Sequence, residues 1–198
     1  MSELILEPRR TAVVVIDLQK GIVQFPGNPH STQSVIANSV ALLDAARTVG
    51  AQPILVHVGR SPDGRDGLDV ACDEPMRMPG ALPPDWSELI PELNRQPNDL
   101  VVLKRQWGAF YGTDLELQLR RRGLSTIVLC GIATAFGVES TARDAYERGF
   151  EQVFAEDAMT SRTSESHTNA IANIFPRMGR VRSTAEIVAA LRAGKSAA

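Results

Sequence analysis

The sequence predicts a three-layer α/β/α sandwich with a mostly parallel, Rossmann-like central sheet, in one domain over residues 1–198. Three observations predict it. Short apolar runs rich in β-branched residues recur along the chain, as strands buried on both faces require. Segments of helical periodicity separate those runs, which is the alternation of βαβ units. A chain of 198 residues is also long enough for one sizeable core and short for two.

Taken in order, the first run is Ala12 to Ile16, and it ends on Asp17. Val35 to Val49 has a helical period, with Ser34 as its expected N-cap and Gly50 where it stops. Ile54 to Val58 is a second strand, and Gly59 to Pro84, rich in Gly, Pro and Asp, reads as one long loop rather than an interdomain linker. Loops of that length in compact domains are often binding lids. This one follows the carboxyl end of a strand, where open α/β sheets place their ligands. Leu100 to Leu103 is a third strand, followed by Lys104. Asp114 to Arg122 is helical, opened by a capping box at Thr113-Asp114-Leu115-Glu116 and closed at Gly123. Then come a strand at Thr126 to Cys130, a helix at Val138 to Arg148 ending at Gly149, and a strand at Gln152 to Ala155. Glu165 to Arg177 and Thr184 to Leu191 are expected helices, with a weak edge strand at Gly179 to Arg182 between them. The tail Ala193 to Ala198 is expected to be disordered.

Composition narrows the function. With 43% hydrophobic and 22% charged residues the chain is ordinary for a soluble globular protein. A formal charge of −2 makes no case for nucleic acid or a membrane surface. The basic run Arg120-Arg121-Arg122 reads as a solvated helix end. The two cysteines, Cys72 and Cys130, have neither metal-ligand spacing nor a disulfide framework. No signal peptide is expected from the first residues, and no apolar stretch approaches about 20 residues, so a cytoplasmic location is expected. No Gly-x-Gly-x-x-Gly follows the first strand and no phosphate-binding Gly-rich loop occurs, so no nucleotide cofactor is expected.

Three positions invite chemistry. Asp17 directly follows a buried strand, where a carboxylate is desolvated and needs a partner; it is either a working acid/base or the cap of the turn through Gln19 to Gly21. Lys104 repeats the pattern on another strand and is either a crevice cation or an exposed strand terminus. Opposite charges at carboxyl ends of separate strands would meet in one crevice. The connection after Cys130 presents backbone N–H groups and a helix start to that crevice, suited to a developing anion. Gly137, on that connection, reads by itself as a residue that permits a tight turn.

Val14-Val15-Ile16-Asp17-Leu18-Gln19, Lys104 with Ala109-Phe110-Tyr111-Gly112-Thr113-Asp114-Leu115, and Cys130-Gly131-Ile132 through Asp144 resemble the isochorismatase-like hydrolases in content, order and spacing. Glu156-Asp157-Ala158 with His167 matches that family's continuation. The resemblance spans nearly the whole chain. It implies that Asp17 is the acid/base group, that Lys104 is its charged partner, and that Ile132–Ala133 is a non-proline cis peptide. It also implies oxyanion-type backbone donors at Ala133 and Gly137, and a homo-oligomer, dimer or tetramer. Two departures stand out: most members carry a nucleophilic cysteine where this chain has Gly137, and Ala135 replaces a common asparagine. The Asp/His metal cluster of nicotinamidase relatives is not evident, since His57 and Asp63 alone do not make it; no metal is expected.

Losing the nucleophile of a triad hydrolase costs roughly 10⁶ in kcat, whereas general acid–base help contributes about 10²–10⁴. Cys130 lies seven positions upstream inside a strand and is no substitute. Covalent amide cleavage is therefore disfavoured. Vinyl-ether hydrolysis needs no protein nucleophile, and true isochorismatases resemble this chain in having glycine at that position. Asp17 would then be the general acid, with Lys104 or Arg105 holding a substrate carboxylate. Gln19, Trp107, Phe110 and Tyr111 are candidates to line the pocket of a small-molecule substrate; Trp107 and Phe110 serve equally as core packing. The alternatives are a hydrolase of another small molecule using Asp17-activated water, and an inactive member kept for binding or assembly.

Overall fold

Six parallel strands, in the order β3-β2-β1-β4-β5-β6, form one sheet. They are β1 (Thr11–Ile16), β2 (Gln52–Val58), β3 (Leu100–Lys104), β4 (Thr126–Ile132), β5 (Glu151–Thr160) and β6 (Arg180–Arg182). The computed structural model describes residues 4–75 and 82–196. The helices are α1 (Thr32–Val49), α2 (Leu115–Arg121), α3 (Glu139–Glu147), α4 (Ser164–Asn169) and α5 (Thr184–Ser196).

The three layers follow from strand alternation. Every β1 residue is buried, but neighbours face opposite ways. Val13 and Val15 pack with Leu42, Leu43 and Ala46 of α1 and with Ile187 and Leu191 of α5. Ala12, Val14 and Ile16 pack with Leu115 and Leu119 of α2, Ala142 and Ala145 of α3, and Phe175. Burying each such aliphatic side chain stabilises by about 1.5–3 kcal/mol, so the central strands must be apolar throughout.

The expected helix ends hold at their C-termini, where Gly50, Gly123 and Gly149 all take positive φ. The starts differ. Ser31, not Ser34, is the N-cap of α1, its side chain accepting from the Ser34 N–H. The expected capping box at Thr113 does not form: Thr113 Oγ1 accepts from Leu115 N–H, while Glu116 pairs with Arg148 and Arg120 instead. The expected helix over Glu165 to Arg177 is divided into α4, a π-helical turn Ala170–Ile174 and a 3₁₀ turn Phe175–Arg177. α5 continues through Ser196, beyond the expected end of ordered chain at Arg192, and residues 197–198 lie outside the described ones. The described parts of the long loop, 59–75 and 82–84, carry no helix or strand; the rest of that loop, 76–81, lies outside them.

Strand β5 is longer than expected because its register with β4 slips. Leu129 pairs with Phe154 and Gly131 with Met159, so Ala155 to Ala158 bulge opposite Cys130. The bulge turns Asp157 toward the start of α5, where its Oδ1 accepts from Thr184 N and Oγ1, both at 2.7 Å. The strand order reverses between β1 and β4, the topological switch point at which open α/β sheets bind ligands. Among the described residues, no helix is long and apolar enough to cross a membrane.

Candidate active site

Asp17 and Lys104 meet at that switch point. β1 ends at Ile16, and Asp17 turns out of the sheet with φ 54° while its N–H still bonds Val56 O at 2.9 Å. Lys104 ends β3, two strands away, and its buried stem carries Nζ to 2.8 Å from Asp17 Oδ2. Lys104 Nζ also donates to the Trp107 carbonyl at 2.5 Å. Both side chains are buried. The other Asp17 oxygen, Oδ1, is buried without a hydrogen-bond partner. Burial outweighs the attraction and hydrogen bond of Lys104, and pushes the Asp17 pKa up to about 6. A carboxyl with an uncommitted oxygen and a pKa near neutrality is suited to exchange protons with a ligand.

The third wall is the turn after β4. The Ile132–Ala133 peptide is cis, and Thr134–Val138 forms one π-helical turn before α3. A Cβ on Gly137 would lie 3.2 Å from both Asp17 Oδ2 and Lys104 Nζ, and 2.9 Å from Ile16 Cγ2. Position 137 therefore faces the ion pair directly, and any side chain there would crowd it. The turn is tied down by Thr141, whose hydroxyl donates to Gly137 O at 2.6 Å and accepts from Ala109 N–H at 3.1 Å. Cys130 is no part of this site. It is fully buried, and burial pushes its thiol up to about 12.

The remaining expected pocket residues separate into different roles. Gln19 is wholly buried and its amide is committed to backbone: Nε2 donates to Val58 O and Trp86 O, and Oε1 accepts from Val58 N–H. It fixes the turn that carries Asp17 and does not line a pocket. Phe110 is buried core, packed against Phe150 at 5.8 Å. Tyr111 is 76% exposed. Trp107 is half exposed and sits edge-on to Phe136 at 4.9 Å, so it flanks the Gly137 turn; Phe136 was missed in the sequence. Arg105 pairs with Asp66 on the long loop, and its Nη1 is buried without a partner.

His57 and Asp63 do not form a metal cluster. His57 Nδ1 is 2.7 Å from Ser87 O, and Asp63 accepts from Ser61 and Arg65. A different group escaped the sequence reading: His30, Glu156 and His167 come together beside the turn. His167 Nδ1 is 2.9 Å from Thr134 Oγ1, and burial together with nearby His30 lowers its pKa to about 4. Glu156 and His167 stood within a recognised stretch, but His30 lies 126 positions from Glu156, and no local spacing joins them.

Comparison with known proteins follows the same lines. An isochorismatase domain model matches residues 11–186. The isochorismatase family protein YecD of Escherichia coli O157:H7 is 50% identical over 186 residues, covering 94% of this chain and 98% of its own. The ureidoacrylate amidohydrolase RutB of Agrobacterium fabrum is 35% identical over 176 residues, covering 77% of each chain. The solved structure of an isochorismatase family protein from Burkholderia thailandensis superimposes with a TM-score of 0.91 at 46% identity, covering 96% of this chain and 100% of that one.

Proposed function

This chain belongs to the isochorismatase family of hydrolases, and from that premise we propose that it hydrolyses a small carboxylate of the isochorismate-like vinyl-ether class without a cofactor, using Asp17 as general acid. The observation that carries this reading is the wall at Gly137. The position facing the Asp17–Lys104 pair has no side chain, so the site offers a proton donor and a cation but no nucleophile at that point.

The reaction then runs as follows. The Asp17 carboxyl protonates the terminal CH₂ carbon of the enol ether, and the ether oxygen stabilises the oxocarbenium ion that results. Water adds to the cationic carbon and returns a proton to the Asp17 carboxylate. The hemiketal collapses to pyruvate and the freed alcohol, for a net consumption of one water. Lys104 and Arg105 hold the substrate carboxylate, Arg105 by exchanging Asp66 for it. Backbone N–H groups of Ala133 and Gly137 line the face where the carboxylate and the adding water sit. Gln19 acts one step removed, by holding the Asp17 turn.

The test is pyruvate release from isochorismate by the purified protein beside Asp17→Asn. Turnover that disappears in the variant supports acid-catalysed vinyl-ether hydrolysis; absence of turnover in both removes isochorismate as substrate. The similarity to a ureidoacrylate amidohydrolase favours a second reading, amide hydrolysis by water that ionised Asp17 activates. Ureidoacrylate hydrolysis by the unaltered protein separates the two, and Gly137→Cys tests whether the site is a cysteine hydrolase without its thiol. Gain of amide hydrolysis on restoring a thiol would mark the scaffold as a disabled cysteine hydrolase, and no gain would support a pocket built for another bond.

A further inference from the structure

Beside the Asp17 crevice lies a second group of ligating side chains that takes no part in the chemistry proposed for it. His30, Glu156 and His167 each present one donor atom, and the three atoms lie within 4.8 Å of one another. They come from the segment before α1, the bulge of β5, and α4. We propose that these residues bind a single zinc-class divalent cation, which pins the turn carrying Gly137 to the start of α1 and the bulge of β5. This departs from the sequence expectation of no metal. The ion is structural, and no step at Asp17 passes through it.

The donor set selects the class of ion. Two imidazoles and one carboxylate suit zinc and its late first-row neighbours, whereas magnesium and calcium take oxygen ligands. Zinc bonds of about 2.0–2.2 Å place tetrahedral ligand atoms about 3.3 Å apart. His30 Nε2 and Glu156 Oε2 are already 3.2 Å apart. The His30 and His167 rings meet edge to face with centroids 5.3 Å apart, so small side-chain rotations close the set. Three protein ligands leave the fourth position to water.

The surroundings fit as well. Metal-bound histidines characteristically bond through their second ring nitrogen to an outer group that fixes the ring. His167 does so to Thr134, the first residue of the π-helical turn. His167 is buried, while the His30 and Glu156 side chains are 29% and 37% exposed, which leaves a path for an ion from solvent. Thr160 Oγ1 donates to His30 O at 2.7 Å and holds that segment against β5 before any ion arrives.

The experiment is zinc titration of metal-stripped protein by calorimetry, with cobalt(II) absorption as a second readout. It uses a Cys72→Ser background, because the exposed Cys72 thiol competes for zinc. One equivalent of zinc is expected to bind, magnesium is not, and tetrahedral cobalt bands should appear. His30→Gln and Glu156→Gln change partly exposed side chains and leave the core intact; each should weaken zinc binding more than about 100-fold, beyond the range of outer-group changes. Thr134→Val should weaken it by about 10-fold. Zinc should raise Tm in the parent and not in Glu156→Gln. Zinc affinity unchanged in both His30→Gln and Glu156→Gln, or no binding by the folded parent, would overturn the proposal. Because ion binding is the readout, the outcome is independent of whether isochorismate is a substrate.

Discussion

Two ion pairs, one buried and one half-buried, are built in opposite ways in this protein. Arg47 and Asp99 join α1 to the segment before β3 through contacts of 2.7 and 3.4 Å. Asp99 also accepts from Gln96 N–H, and Arg47 also donates to Leu93 O and Asp44. Neither Asp99 oxygen lacks a partner. The pair of Asp17 and Lys104 is just as close, at 2.8 Å, yet Asp17 Oδ1 has no partner at all. A pair that only holds chain segments together gains by satisfying every lone pair. A pair proposed to hand over a proton keeps one oxygen uncommitted.

The largest effects should separate the pairs by kind. Asp17→Asn is expected to lower kcat for pyruvate release by about 10²–10⁴ in protein that circular dichroism shows to be folded. Asp99→Ala should leave kcat alone and lower unfolding free energy by about 1.5–3 kcal/mol, because it removes the charged hydrogen bonds of Arg47 to a buried carboxylate; urea unfolding reads this. An exchange of those two outcomes would break the comparison.

A pH profile sharpens it. With the Asp17 pKa at about 6, kcat should fall about tenfold per pH unit above that value. Lys104 lowers that pKa, so Lys104→Met should move the falling limb to higher pH. The stability term has its own sign. Folded Asp17 holds its proton more tightly than the unfolded group with pKa 3.8, so its contribution is complete below that value and is lost as pH rises toward about 6. Chemical unfolding across that window measures it.

Smaller effects probe the walls. Gly137→Ala places a methyl 2.9 Å from Ile16 Cγ2 and should destabilise by about 1–3 kcal/mol through overpacking, visible in Tm. Smallest of all is Tyr111→Ala: at 76% exposure it should change stability by no more than about 0.5 kcal/mol and leave KM within twofold.

What the sequence made legible was whatever a single segment or a short pattern encodes. Apolar β-branched runs marked the strands, and left-handed glycines marked helix ends, because both signals are local. Asp17 and Lys104 were legible as a pair because each is a lone charge closing an apolar strand. Gln19 misled: a glutamine beside a candidate acid reads as pocket lining, and only the fold shows its amide spent on the backbone of Val58 and Trp86. Phe110 was ambiguous for the same reason and proved to be core. The His30, Glu156 and His167 group was invisible because the sheet brings together three segments with no common spacing.

The slipped stretch of β5 has a consequence for phase. Phe154 and Met159 are five positions apart, an odd number, and in a regular strand they would face opposite layers. Four residues set against one shift the parity, and both side chains enter the same layer. Period-two reading therefore fails beyond Ala155, and the strand beyond the slip is committed to its own inside and outside. Deleting one residue from Ala155 to Ala158 would set Phe154 and Met159 four positions apart, so that regular alternation itself would keep both in the layer they now share. The slip is thus read by the fold as a change of phase rather than a change of length.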